Sequence, residues 1–488
     1  MVIESLKYKI LQQFGFAPTQ EQGQALDTFV SFLTDRDPQA VMILRGSAGT
    51  GKTSLSGAIV RTLLQIRQKV MLLAPTGRAA KVFSLGSGAP AYTIHRRIYR
   101  EKAFAGVDGQ FSLNDNLYTD TLFMVDEASM IANMGQGGTT FGSGCLLDDL
   151  VKFVYQGHND RLLLIGDKAQ LPPVGEEESP ALSASVMEGY GLKVYECDLN
   201  EVLRQSQSSG ILYNATLIRQ MITHDAVTGL PLIRFKGFAD IVMMPGAELV
   251  ESLGDSYHHV GMDETMVITR SNKRANIYNN GIRNMVLDRE EELSSGDMLM
   301  IVKNNYFWTE KEKKESGEGS AGAVPTFLAN GDRAKVLRVS NYIELYGFRF
   351  ATLLLQLPDY DDYEMQVTGM LDTLQSEAPA LTHEQQEELF RQVEEDYQHF
   401  VPLKADRMKS IRQDAYFNAL QIKYAYAVTC HKAQGGQWAH VYVDQGYMTD
   451  DMLTPDYIHW LYTAFTRATD KLFLVNWPKE QTCEPTDL

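Results

Sequence analysis

Three glycines, a lysine and two threonines punctuate the stretch Gly46-Ser47-Ala48-Gly49-Thr50-Gly51-Lys52-Thr53, which follows, after Arg45, on the apolar run Ala40-Val41-Met42-Ile43-Leu44. This is the GxxxxGK[ST] spacing, placed after an expected strand and at the start of an expected helix. Glycines let the backbone turn tightly enough for successive N–H groups to converge, and the first turn of the helix adds partial positive charge. Such a cradle suits a phosphate. Lys52 would bring a full charge to β- and γ-phosphates, and Thr53 a hydroxyl for Mg²⁺. A glycine turn with no nucleotide is the bland reading, and the flanking strand and helix weigh against it.

Carboxylates come next. The run Thr121-Leu122-Phe123-Met124-Val125 ends in Asp126-Glu127. In a parallel sheet that strand end lies beside the phosphate loop, where Asp126 can reach Mg²⁺ and Glu127 can polarise an attacking water. An acidic strand end in solvent is the alternative. Another apolar run, 161–166, leads into Asp167-Lys168-Ala169-Gln170, which puts Gln170 on the same sheet edge, near a γ-phosphate. Arg204 and Arg467 are candidates for stabilising transition-state charge. Their competing role is a surface ion pair, worth at most about 1 kcal/mol. Gln22 has two readings: Thr19 and Gln22 form an S/T-x-x-E/Q capping box, and a glutamine upstream of a phosphate loop can also read adenine through its amide.

Cations interleaved with rings form a third group. A strand over 69–74 runs into Pro75-Thr76-Gly77-Arg78, where helix N–H groups and Arg78 suit a phosphate backbone. Thr93, His95, Arg96, Arg97 and Arg100 follow, with Tyr92 and Tyr99 among them. Cations that track phosphates beside rings that stack on bases fit a single strand, although a solvated helix face has the same composition. Asp108-Gly109, between Phe104 and Phe111, signals a β-hairpin with a type I′ turn. A hairpin that small owns no core and must be an appendage.

These groups need a scaffold. At 488 residues the chain predicts two to four domains. Apolar residues at 44% and charged residues at 22% describe an ordinary soluble protein. No apolar stretch approaches the ~18 residues of a membrane span, and no charged-then-apolar leader opens the chain, so the expected location is cytoplasmic, with no membrane partner. The cysteines, Cys145, Cys197, Cys430 and Cys483, lack metal-binding spacing. The net charge of −17 argues against coating nucleic acid through bulk charge, which leaves a local channel. Strands over 69–74, 121–125, 161–166 and 192–199 predict a doubly wound α/β unit closing near residue 200. Alternation over 334–370 suggests a small antiparallel barrel, and 382–415 reads as charged helix. An α/β pattern resumes with a strand at 425–429, a strand at 441–443, a helix at 457–468 and a strand at 471–475. The expected domains are therefore 1–200, with a hairpin insert at about 100–120; 201–332 joined to 416–488; and 333–415 inserted between them. One phosphate site and two α/β halves imply nucleotide in the cleft between them.

The ordered series GSAGTGKT, APTGRAAK, TIHR, VDEASM, IGDKAQLPPVG, EVLRQ, NGD, VTCHKAQG and YTAFTRA resembles the superfamily 1 (B class) DNA helicases of the RecD-like, Pif-like and Dda-like group. The resemblance implies two RecA-like parallel-sheet motor domains, the first carrying a hairpin pin and the second an SH3-like barrel with a helical insert. It implies an ATP-driven, Mg²⁺-dependent motor that moves 5′ to 3′ on single-stranded DNA and unwinds forked or tailed duplex. Such a motor would work as a monomer, alone or with replication or recombination proteins. By motif position, Gln22 would read adenine, residues Gly46 to Thr53 hold phosphates and metal, and Asp126 and Glu127 serve metal and water. Gln170 would sense the γ-phosphate, and Arg204 and Arg467 act as fingers. Gly435 and Gln437 would approach the nucleotide, Gln437 standing where the family usually carries Glu. Pro75, Thr76, Gly77, Arg78, Thr93, His95, Thr429 and His431 would lie along DNA, and Phe104 or Phe111 would tip the pin. Two rival readings are a DNA-stimulated translocase that unwinds only within a larger complex, and a nucleotide-gated scaffold.

Overall fold

The computed structural model describes residues 2–104, 109–134, 142–201, 208–223, 229–316, 325, 327–401 and 403–483. Its contacts divide the chain into two units, Met1–Pro245 with Ala433–Leu488, and Gly246–Lys432.

In the first unit, strands β1 (Ala40–Gly46), β2 (Lys69–Ala74), β3 (Ala91–Thr93), β6 (Thr121–Val125), β7 (Arg161–Gly166) and β8 (Lys193–Leu199) form a parallel sheet in the order β3-β2-β6-β7-β1-β8. β1, β6 and β7 are buried along their whole length, the expected state of parallel strands covered on both faces. Side chains alternate between two cores. Met42 and Leu44 pack with Phe29 and Leu55 on one face, and Val41 and Ile43 with Val125 and Phe153 on the other. The order has one consequence for chemistry. β7 lies between β6 and β1, so the residues that follow these three strands emerge side by side at the carboxyl edge, where open α/β sheets bind ligands.

The predicted hairpin is present as β4 (Tyr99–Phe104) and β5 (Gly109–Leu113), paired from Tyr99 opposite Leu113 to Phe104 opposite Gly109. Asp108, at its turn, lies outside the described residues. The same unit holds a second parallel set, β9 (Ile241–Met244), β17 (Trp438–Asp444) and β18 (Ala468–Val475), with β18 paired to both others. Its helix Pro455–Phe465 is capped by the Thr454 hydroxyl, which accepts from the Tyr457 N–H at 3.2 Å, and Pro455 sits in its first turn. Those are two standard start signals.

The second unit contains the parallel pair β10 (Thr265–Thr269) and β16 (Ala427–Thr429) and a closed barrel. The barrel strands are β11 (Met298–Ile301), β12 (Arg333–Leu345), β13 (Phe348–Leu357), β14 (Tyr363–Met370) and β15 (Leu420–Tyr424). The expected alternation over 334–370 supplies β12 to β14, and β11 and β15 come from either side of the 333–415 stretch. Two helices, His383–Gln398 and Lys404–Arg412, place Leu389, Val393 and Ile411 against Phe348 and Phe350.

A buried charge cluster anchors this unit. Asp297, 0% exposed, receives two bonds of 3.1 Å from Arg283, one of 2.7 Å from Arg289 and one of 2.8 Å from the Tyr426 hydroxyl. Arg283 is delivered by the π-helical turn Ile282–Val286. Removing one member of such a cluster leaves the rest desolvated and unpaired. Asp297→Ala should therefore cost about 3–5 kcal/mol in urea unfolding; a loss under about 1 kcal/mol would show that the arginines find other partners.

Candidate active site

The phosphate loop joins β1 to the helix Lys52–Gln65. Gly49 and Gly51 take left-handed φ values of 77° and 80°, a conformation that costs a residue with a Cβ. Gly46 is required for a different reason: a Cβ there would stand 2.8 Å from Lys52 Cγ and 2.9 Å from Thr50 Oγ1. The Thr50 hydroxyl donates to the Ser47 carbonyl at 2.8 Å. Lys52 Nζ donates to the Gly46 carbonyl and, at 3.2 Å, to that of Ser47. Gln22 makes the cap and also reaches the loop. It completes the capping box with Thr19, and its Nε2 donates to the Thr50 carbonyl at 2.9 Å. The glutamine is thereby locked against the loop.

Asp126 and Glu127 follow β6. Asp126 Oδ1 accepts from the Glu127 N–H at 2.9 Å, and Glu127 takes a left-handed φ of 53°. Burial, and then the neighbouring Glu127 charge, push the Asp126 carboxyl up to about 7. From the loop after β7, Gln170 donates its amide N–H to Glu127 Oε2 at 3.3 Å and accepts from Arg467 Nη2 at 3.2 Å. Arg467 Nη1 lies 3.9 Å from Glu127 Oε1. The guanidinium is 2% exposed and also donates to the carbonyls of Thr463 and Gly436, each at 3.1 Å. Phosphate loop, acidic strand end, Gln170 and Arg467 thus belong to one unit. Arg204 lies outside the described residues.

The helix Pro455–Phe465 is stitched to residues 167–171. The Tyr462 hydroxyl donates to Asp167 Oδ2 at 2.6 Å, His459 Nδ1 bonds the Ala169 carbonyl at 2.9 Å, and the Leu171 N–H donates to Thr463 Oγ1 at 2.8 Å. Gln434 Nε2 adds a bond to the Leu171 carbonyl at 2.7 Å. Two contacts reach the phosphate loop itself: the Ala48 N–H donates to the Tyr462 hydroxyl at 2.9 Å, and Arg219 Nη1 donates to Ser47 Oγ. Sequence reasoning missed Tyr462, Asp167 and Arg219 in these roles. Tyr462 sits five residues before Arg467, the only sequence hint that it shares a site.

The donor set fits Mg²⁺ held chiefly by a nucleotide. Among the described residues no group of three or more His, Cys, Asp and Glu could hold a metal alone, and Mg²⁺ with phosphates needs one or two protein ligands. Thr53 and Asp126 would be those ligands.

A family model described as an AAA domain matches residues 17–229, and one described as a UvrD-like helicase C-terminal domain matches residues 424–475. The second of these descriptions is that of a helicase domain, and it is matched over the segment that carries Gln434, Tyr462 and Arg467. A protein of Acanthamoeba polyphaga mimivirus, R530, is 22% identical over 508 residues, covering 90% of this chain and 96% of the relative. The ATP-dependent RecD2 DNA helicase of Deinococcus radiodurans is 30% identical over 157 residues, 32% of this chain. Protein MJ1519 of Methanocaldococcus jannaschii is 33% identical over 168 residues, also 32% of this chain. This chain spans 18% and 13% of the lengths of those two relatives. Among solved structures, a Bacteroides Pif1 helicase in complex with ADP-AlF3 and ssDNA shares 13% identity at TM-score 0.46, covering 96% of this chain and 95% of the other. Candida albicans Pif1 shares 16% at TM-score 0.40, covering 96% and 97%.

The expected DNA residues fall at several places. Thr76 caps the helix Gly77–Ser87, accepting from the Ala79 N–H at 3.2 Å, with Pro75 and Gly77 half-buried beside it. Arg78 donates to the Gln437 carbonyl at 2.8 Å and lies 5.4 Å from the Trp438 ring. Gly435, at φ 76°, packs so that a Cβ would be 3.1 Å from Thr76 Oγ1. Thr93 caps the short helix Ile94–Ile98. Burial holds the His95 imidazole down at about 4, against the opposing pull of Asp149, so the ring is neutral at pH 7. Arg97 and Arg96 lie over the Tyr92 ring at 3.7 and 5.1 Å, so its own arginines cover that ring. Phe111 is half-buried against the sheet's second core, and Phe104 closes the paired part of the hairpin. Thr429, ending β16, and the exposed His431 belong to the second unit.

Asp126 gives a stability prediction with a definite sign. Its folded carboxyl titrates near 7 against an ordinary value of 3.8, so the folded state binds the proton more tightly and stability falls as pH rises between these values. Asp126→Asn should be more stable than the parent at pH 8 and equal to it at pH 4, measured by urea unfolding. A variant less stable at pH 8 would contradict the raised carboxyl.

Proposed function

We propose that the chain is an ATP-hydrolysing DNA helicase that moves 5′ to 3′ along single-stranded DNA and separates duplex ahead of it. The observation that carries this is Arg467, held in the same buried cluster as Glu127 and Gln170 at the edge bearing the phosphate loop. ATP is the substrate, and Mg²⁺, gripped by Thr53 and Asp126, would offset phosphate charge. Lys52 turns from the loop carbonyls to the phosphates, Glu127 orients and deprotonates the attacking water, and Gln170 keeps Glu127 and Arg467 in register. Arg467 supplies positive charge as the β–γ bond opens, a contribution worth roughly 10³–10⁵ in rate. Arg204 is proposed as a second finger. Gln22 would read adenine from its place against Thr50, and Gly435 and Gln437 would border the nucleotide.

The DNA partners proposed are single strands and forked or tailed duplexes. Thr76, Arg78, Thr93, His95, Thr429 and His431 would follow the strand, with the hairpin as pin. Domains of 1–200, 201–332 with 416–488, and 333–415 are proposed on the same reading, as are a monomeric motor and a cytoplasmic location. No described helix is long and apolar enough to cross a membrane. Direction of travel rests on the motif resemblance. Phe104 or Phe111 is proposed as the ring at the fork; the half-burial of Phe111 in the core supports a second reading, a DNA-stimulated translocase that opens duplex only within a larger complex.

The test is strand separation on duplexes bearing either a 5′ or a 3′ single-stranded tail, with ATP turnover measured on each and Lys52→Ala as the inactive control. Separation of the 5′-tailed duplex alone is expected. Stimulated turnover without separation would favour the translocase, and turnover indifferent to DNA, or normal unwinding by Lys52→Ala, would overturn the proposal.

A further inference from the structure

The Ala48 N–H is a phosphate-loop donor that already has a protein acceptor. Its partner, the Tyr462 hydroxyl, is buried and stands between two groups of opposite demand: it accepts from Ala48 at 2.9 Å and donates to Asp167 at 2.6 Å. Burial and the Asp167 carboxylate push the phenol well above its ordinary value, so it keeps its proton and that direction of donation is fixed. Asp167 is held in turn, because its Oδ1 accepts from the Ala169 N–H at 3.0 Å. The hydroxyl is therefore aimed at the loop by a rigid carboxylate.

Position along the loop gives this contact its meaning. Thr50 takes the bond from the Gln22 amide, the group proposed to read adenine. Ala48 is joined instead, through Tyr462, to Asp167, three residues before the Gln170 that bonds Glu127 and Arg467. On the nucleotide reading of the site, that group is where the γ-phosphate lies. Arg467 follows five residues after Tyr462, just past the end of the helix Pro455–Phe465, whose His459 and Thr463 bond residues 169 and 171; Gln434 also bonds Leu171.

We infer that Tyr462 is a γ-phosphate-sensing positioning residue: its hydroxyl competes with a γ-phosphate oxygen for the Ala48 N–H, so a nucleoside triphosphate, and not a diphosphate, displaces it. The displaced hydroxyl remains bonded to Asp167, and the helix Pro455–Phe465, which ends two residues before Arg467, registers the change. No covalent step is involved. The inference rests on the nucleotide reading above and adds to it a group that tells ATP from ADP before hydrolysis.

The experiment is equilibrium binding of the β,γ-imido analogue of ATP and of ADP, each with Mg²⁺, to the whole chain and to Tyr462→Phe, which keeps the ring and removes the competing oxygen. Losing one net hydrogen bond that opposes binding should tighten the analogue roughly two- to tenfold and leave ADP unchanged. Asp167→Asn, which loosens the grip on the hydroxyl, should shift the analogue in the same direction and add nothing in the double variant. A hydroxyl with only a structural job predicts the opposite pattern, both nucleotides weakened alike, and that result would overturn the inference. Equal affinities in parent and variant would overturn it too. If the parent chain binds neither nucleotide, the site itself is misread and the sensor falls with it.

Discussion

A guanidinium that is 2% exposed must be neutralised where it sits, and Arg467 is neutralised by the groups that would perform phosphate chemistry. Its nitrogens use the carbonyls of Thr463 and Gly436, the Thr466 hydroxyl and the Gln170 amide oxygen, and its formal charge is met across 3.9 Å by Glu127. Leaving a cation buried without partners costs several kcal/mol on the order of a large share of a domain's stability. That constraint ties the helix Pro455–Phe465 to the first sheet although more than half of the sequence intervenes. The stitches through Tyr462, His459 and Thr463 make the same junction rigid.

The site also holds local conflicts that folding alone would avoid. Glu127 takes a left-handed backbone, and Asp126 is buried beside it with a carboxyl raised to about 7. Both are the kind of unfavourable arrangement that concentrates where charge must be handled. A divalent cation and a triphosphate would relieve them together, the metal by meeting Asp126 and the phosphates by meeting Lys52 and Arg467. The same logic explains why Lys52 Nζ rests on the carbonyls of Gly46 and Ser47: the loop offers its lysine neutral acceptors that a phosphate can outbid.

Much of this was legible in the sequence. The strands at 69–74, 121–125 and 161–166 coincide with β2, β6 and β7, because parallel strands buried on both faces are written as continuous apolar runs. The barrel was visible through alternation over 334–370, but not that β11 and β15 close it, since both lie outside that stretch and each is too short to show which sheet it joins. The Asp297 cluster was invisible: Arg283 and Arg289 read as surface charge until the fold brings Tyr426 and Asp297 onto them. In the site, the phosphate loop, Asp126, Glu127, Gln170 and Arg467 announced themselves by residue type and position. Tyr462 and Arg219 did not, because nothing in a sequence says that a phenol at 462 or a guanidinium at 219 will reach residues 47 and 48. Gln22 shows a further limit, since its cap with Thr19 and its bond to Thr50 are made by one side chain at once.

The central claim is that Arg467 and Glu127 act on one bound nucleotide. Rapid-quench measurement of ATP cleavage in a single turnover, with saturating single-stranded DNA, tests it most directly in Arg467→Lys, which keeps a charge but is too short to hold the same partners. The account predicts nucleotide binding close to that of the parent and cleavage slowed by roughly 10³ or more. Cleavage within a few fold of the parent would contradict it, and would leave Arg467 as the buried brace of a helix with no part in the reaction.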